Sequence, residues 1–185
     1  MIFLSAGHYP SRPGVGFEGF FEHDEAVRWV DLMHEQISDI SCIVPPGVLR
    51  TKVEFINNRR TWDSFALEVH FNSAKANTAP EGEPPVWEHI GRGCETLYYP
   101  GSKKGKPLAQ VINDAMAKHM EPDRGIKEGW YQMNKDKGPN FFLARTACSA
   151  IIIEPDFIHR KDIIQQKREA CCEAIACALK CEVHK

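Results

Sequence analysis

Ala150-Ile151-Ile152-Ile153, followed at once by Glu154 and Pro155, is the stretch on which the fold turns. Four consecutive apolar residues without polar alternation leave no solvent-facing side, which predicts a central strand covered on both faces. Working outward, Ile2 to Ser5 is a β-prone run that gives way to Ala6-Gly7-His8. Cys42 to Val44 is another, stopped by Pro45-Pro46-Gly47, and Phe65 to His70 and Glu95 to Tyr99 complete the set. Between these runs the period changes to that of a helix. Ala26, Val30, Met33 and Ile37 recur at helical spacing behind the acidic start Glu22-His23-Asp24-Glu25. Leu49 to Arg60 is weakly helical, with Val53 and Ile56 inward. Leu108, Val111, Ile112, Ala115 and Met116 form an amphipathic helix, and Ile163, Ile164, Cys171, Ala174, Ile175, Ala178 and Leu179 form another. Strands alternating with helices predict one α/β domain over residues 1–185, a central, mostly parallel twisted sheet flanked by helices. The proline- and glycine-rich stretch from Lys75 to Gly93 is expected to be a long surface loop.

Composition narrows the function classes. The chain has 185 residues, 43% of them hydrophobic, with 23 Lys+Arg against 25 Asp+Glu. That balance provides no basic footprint for nucleic acid and no polybasic patch for a membrane. No apolar run is long enough for a spanning helix, and Met1-Ile2-Phe3-Leu4 is too short for a signal peptide, so synthesis in the cytoplasm is expected. Seven cysteines, with no C-x-x-C spacing among Cys171, Cys172, Cys177 and Cys181, are expected to be reduced and core-filling. The segment from Gly101 to Lys106 has three residues between its glycines where a phosphate loop needs four. G-x-S-x-G and H-E-x-x-H are both absent.

In an α/β sheet the site lies beyond the carboxyl ends of the strands, and His8, His70 and Glu154 all fall at such ends. A catalytic zinc site uses three nitrogen or oxygen ligands and keeps a fourth position for water. The residues alone leave Glu22, Asp24 and Glu25 open as the third ligand. Glu154, directly after an apolar strand, is either a carboxylate held near neutral pKa for proton transfer or the buried partner of Arg145 or Arg160.

Taken in order, these residues resemble the zinc-dependent N-acetylmuramoyl-L-alanine amidases of bacterial cell-wall hydrolases and phage endolysins. Ser5-Ala6-Gly7-His8 resembles that family's first strand and metal histidine, and Phe21-Glu22-His23-Asp24 its Glu-x-Asp helix start. Glu68-Val69-His70-Phe71-Asn72-Ser73-Ala74 resembles the second metal-histidine strand. Gly93 to Tyr99 with Leu108-Ala109 resembles the strand and helix that follow. Arg124-Gly125-Ile126-Lys127 resembles an Arg-Gly-Val-Lys segment, and Ile151 to Ile158 the strand ending in the catalytic glutamate.

The resemblance implies zinc held by His8, Glu22 and His70, the family spacing selecting Glu22 among its acidic neighbours. It implies Glu154 as the general base and peptidoglycan as the partner. Lys127, Arg124 and Asn72 are candidate substrate contacts, with a solvated surface pair as the plain alternative for the two cations. Trp130, Tyr131, Phe141 and Phe142 either line a groove or pack a core. The expected activity is hydrolysis of the amide between N-acetylmuramic acid and L-alanine by a phage or prophage endolysin, monomeric and acting on the wall after release. Competing readings are a metallocarboxypeptidase, an amidohydrolase of small acyl-amino acids, and a non-enzymatic wall-binding module. Val44-Pro45 stands where many members carry Thr-Arg, and Pro155-Asp156 replaces Leu-Gly. Glu68 stands where a small polar residue is common, and either orients His70 or fills space.

Overall fold

In the computed structural model, which describes residues 1–79, 83 and 86–183, the chain builds one six-stranded sheet between two helical layers. The elements in chain order are β1 (Ile2–Ala6), β2 (Gly16–Phe17), β3 (Phe20–Phe21), α1 (Glu22–Ile37), β4 (Ser41–Ile43), α2 (Leu49–Arg59), β5 (Phe65–Val69), β6 (Lys75–Asn77) and β7 (Trp87–His89). They continue with β8 (Cys94–Tyr98), α3 (Gly105–Ala117), β9 (Asp123–Glu128), α4 (Phe141–Arg145), β10 (Ser149–Glu154) and α5 (Lys161–Val183). The main sheet has the order β4-β1-β5-β10-β8-β9. The first four of these strands run parallel, β8 runs antiparallel to β10, and β9 is parallel to β8.

β10 is central, as its apolar run predicts, and its side chains divide between two cores. Ile151 and Ile153 join Ile2, Leu4, Leu67 and Val69 under α1, α3 and α5. Ala150 and Ile152 join Phe3, Ala66 and Leu97 with Val53 and Ile56 of α2 and Phe142 and Leu143 of α4. The second layer is thinner, because α4 is only five residues long. Towards the carboxyl ends of β1, β5 and β10 the second face turns polar. Ser5, Glu68 and Glu154 continue the alternation of Phe3, Ala66 and Ile152 on that side.

α1 forms where Ala26, Val30, Met33 and Ile37, with Trp29, make one buried stripe. Its first N–H groups have no side-chain cap; those of Glu22 and His23 donate to the carbonyls of Val15 and Pro13. The loop that follows His8 therefore caps the helix that carries Glu22. At the other end of the chain, α5 packs against α1 and α3, and the buried carboxylate of Glu25 binds Arg168 of α5 at 2.8 and 2.9 Å.

Three expectations need correction. The stretch from Lys75 to Gly93 contains the antiparallel hairpin β6–β7, although Pro80, Glu81, Gly82, Pro84 and Pro85 lie outside the described residues. Asp123–Glu128 is an edge strand whose alternation is masked by charged and glycine residues. Of the cysteines, Cys171 and Cys172 fill the core as expected, but Cys177 and Cys181 are exposed on the outer side of α5. Burial pushes the thiols of Cys171 and Cys172 well above the ordinary range. No described helix is long and apolar enough to cross a membrane.

Candidate active site

His8, Glu22 and His70 come from three separate elements: the turn after β1, the first residue of α1 and the residue after β5. Their ligand atoms all lie within 4.8 Å of one another. Glu22 sits between the imidazoles. Its Oε1 lies 2.8 Å from His70 Nδ1 and accepts from the Phe71 N–H at 3.2 Å. Its Oε2 lies 3.1 Å from His8 Nε2 and accepts from the Val15 N–H at 3.3 Å. Of the three acids the residues left open, only Glu22 reaches the histidines. Asp24 is exposed, and Glu25 turns inward to Arg28, Trp29 and Arg168.

Burial works against ionisation of Glu22, yet the hydrogen bonds and charges of His70 and His8 outweigh it and bring its pKa down to about 2. Burial likewise disfavours a charged His70, but Glu22 and Glu68 outweigh it and push the imidazole up to about 10. Both shifts express one fact: the polar atoms of these side chains converge on the same small volume. Two glycines keep that volume clear. A Cβ on Gly14, at φ +80°, would lie 2.5 Å from Glu22 Oε2 and 2.6 Å from His8 Cδ2. One on Gly7 would lie 2.7 Å from His70 Nδ1. Two imidazoles and a carboxylate at such separations form a set that can hold a divalent metal.

Beside this set, β10 ends on Glu154. Because β8 runs against β10, the register pairs Glu154 with Glu95, near the start of β8. Glu95 is buried and fully engaged: it binds Lys127, accepts from Arg124 Nε at 2.8 Å and from Asn72 Nδ2 at 3.1 Å. Burial opposes its charge, but these three donors outweigh it and hold its pKa below the ordinary carboxylate value. Glu154 has the opposite fate. Burial first, and then the neighbouring Glu95 charge, push it up to about 8. The expected alternative partners do not reach it: Arg160 is taken by Asp156 at 2.9 Å, and Arg145 sits at the end of α4.

Lys127 and Arg124 each keep 32% of their side-chain surface exposed, yet with Asn72 they bind a common group. All three point at one carboxylate, and Arg124 also stacks over the Phe157 ring at 4.9 Å. Glu95 is the residue that sequence reasoning missed. The available signal was the pair of cations three positions apart, flanking Gly125-Ile126, which a buried carboxylate can bridge. Among the aromatic candidates, Phe142 is core, whereas Tyr131 and Phe141 are exposed. Glu68, buried beneath His70, places Oε2 3.2 Å from His70 Nε2.

No protein-family profile and no curated protein sequence matches the chain. Solved structures do. An N-acetylmuramoyl-L-alanine amidase from Clostridium difficile 630 superposes with a TM-score of 0.77 at 20% identity, over 100% of this chain and 96% of that one. The amidase AmiC2 of Nostoc punctiforme gives 0.76 at 15% identity, over 100% and 98%. The catalytic domain of the CD27L endolysin targeting Clostridia difficile gives 0.69 at 19% identity, over 97% and 96%. From end to end, this chain has the fold of the N-acetylmuramoyl-L-alanine amidase catalytic domains.

Proposed function

We propose that the protein hydrolyses the amide bond between N-acetylmuramic acid and L-alanine in peptidoglycan, with zinc held by His8, Glu22 and His70 and with Glu154 as the general base. The observation that carries this reading is the pairing of a metal-type donor set with a carboxylate of raised pKa at the same strand ends. The amidase fold of the structural neighbours supports the choice of bond.

An unactivated amide needs a strong nucleophile at neutral pH and a partner for the developing oxyanion. Zinc, when bound, supplies both by lowering the pKa of water and polarising the carbonyl. The protein's own groups do the rest. Glu22, fixed by two backbone N–H groups, and the two imidazoles hold the metal in place. Glu154 takes the proton from the attacking water and returns it to the departing alanine nitrogen, a task suited to a carboxyl whose pKa lies near the working pH. Glu95, kept anionic by Arg124, Lys127 and Asn72, maintains that pKa. Each of the three gives one contact to Glu95 and keeps further donors, so their role as substrate contacts remains part of this reading.

The reading extends to a phage or prophage endolysin acting as a monomer, in keeping with the CD27L catalytic domain among the neighbours. A carboxyl of raised pKa beside a metal-type donor set favours an enzyme over a wall-binding module. The test is digestion of purified peptidoglycan with and without chelator. New alanine amino groups, no new reducing sugar ends and loss of activity on chelation are the expected results. New reducing ends, or release of terminal D-alanine, would replace the amidase reading with a glycosidase or a carboxypeptidase.

A further inference from the structure

Both histidines of the donor set are held by groups outside it, and both holds end on one buried ammonium. Lys52, on α2, is 3% exposed. Its Nζ donates to the carbonyl of Ala6, to the carbonyl of His8 at 2.8 Å and to Glu68 Oε1 at 3.4 Å. Glu68 passes the hold on, since its Oε1 accepts from Ser5 Oγ at 3.1 Å and its Oε2 lies 3.2 Å from His70 Nε2. The same cation thus fixes the main chain that carries His8 and the carboxylate that faces His70.

Packing does not require a charge here. The other inward residues of α2, Val53 and Ile56, are apolar, and a buried ammonium is costly in lost hydration unless it is paired and hydrogen-bonded. What the charge accomplishes is local. His8 has φ 56°, a left-handed conformation that a residue with a Cβ keeps only where its surroundings over-determine it. The bond from Lys52 to the His8 carbonyl is such a constraint. On the other side, an imidazole whose Nε2–H is given to a carboxylate presents its Nδ1 lone pair to a metal, and His70 Nδ1 is the atom that faces Glu22.

We propose that Lys52 is a positioning residue of the metal centre, which sets the geometry and so the metal affinity of the histidine pair through the His8 carbonyl and through Glu68. The proposal rests on the metal reading above. It concerns binding of the ion and involves no step of the reaction.

The test is the zinc dissociation constant of the full chain, measured by competition with a chromophoric chelator, with thermal unfolding in EDTA as the control for folding. Lys52→Met should weaken zinc binding about 10- to 100-fold, the range for loss of a group that orients a ligand. Because that variant leaves Glu68 without its cation, Lys52→Met/Glu68→Met is the companion: it removes both charges together and keeps the volume. It should unfold in EDTA at or above the wild-type temperature, yet bind zinc at least about 10-fold more weakly. Wild-type zinc affinity in a folded double variant would overturn the proposal, as would failure of both variants to fold, which would make Lys52 a folding residue. Absence of zinc binding by the wild type is a different failure, since it would remove the metal reading itself before any variant was made.

Discussion

Glu22 and Glu154 belong to the same site and are driven in opposite directions. Glu22 is surrounded by two imidazoles and two backbone N–H groups, and its pKa falls to about 2. Glu154 has another carboxylate as its register partner, and its pKa rises to about 8. The difference lies less in burial, which raises both, than in the company each keeps. Two carboxyls whose surroundings separate their pKa values in this way are suited to two tasks, one as a permanent anion for a cation and one as a carrier of protons.

The contrast can be broken from either side. Removing the anion should have the largest effect: Glu22→Ala should lose bound zinc altogether, read as metal content of the purified protein, and His70→Ala should behave the same way. Metal retained near one ion per chain in Glu22→Ala would show that the ligand set is drawn wrongly. Removing the proton carrier comes next. Glu154→Gln should cut turnover by about 10²-fold or more while metal content stays at the wild-type level. If turnover and zinc fall together, Glu154 belongs with Glu22 and the contrast disappears.

Subtler variants sharpen it. Glu95→Gln removes the like charge beside Glu154 and frees Arg124 and Lys127 to act on it, and both changes favour the anion. The acid limb of the pH–rate profile should therefore move to lower pH, by about one unit. A limb that stays in place would assign the titration to some other group. The smallest effect concerns stability. A carboxyl raised from 4.5 to about 8 stays protonated in the folded state while the unfolded chain ionises, so its contribution is full below pH 4.5 and is lost as pH rises through 8. Glu154→Gln has nothing to titrate. In chelator at pH 9 it should melt a few degrees higher than wild type, and at pH 4 the two should coincide, as followed by circular dichroism.

Much of this architecture could be read along the chain. The apolar run before Glu154 marks the middle of the sheet, and the strand ends at His8 and His70 face one another as a parallel arrangement requires. What remained hidden depended on direction. Strand alternating with helix reads as a mostly parallel sheet, and nothing local in Cys94–Tyr98 shows that β8 is the strand that runs the other way. Glu95 therefore reads as a residue at the far end of the sheet, when the reversal brings it beside Glu154. The common partner of Arg124 and Lys127 was hidden for the same reason, since nothing along the chain places Glu95 between them. The edge strand Asp123–Glu128 has Ile126 as its one large apolar side chain, and α4, at five residues, is too short for any period to register. Glu68 could be placed on the face of His70 by alternation, but its cation comes from α2, sixteen residues earlier, and no pattern in the sequence joins them.

Gly7 and Gly14 change what tolerance to substitution means in this protein. Neither carries a functional group, yet even a single methyl at Gly14 would occupy the space between Glu22 and His8, and one at Gly7 would press on His70. A saturation scan scored by the proposed activity would therefore rank both positions alongside His8, Glu22 and His70. A scan scored by yield of folded protein would separate the two kinds of residue, because crowding of the backbone harms folding whether or not an ion is ever bound.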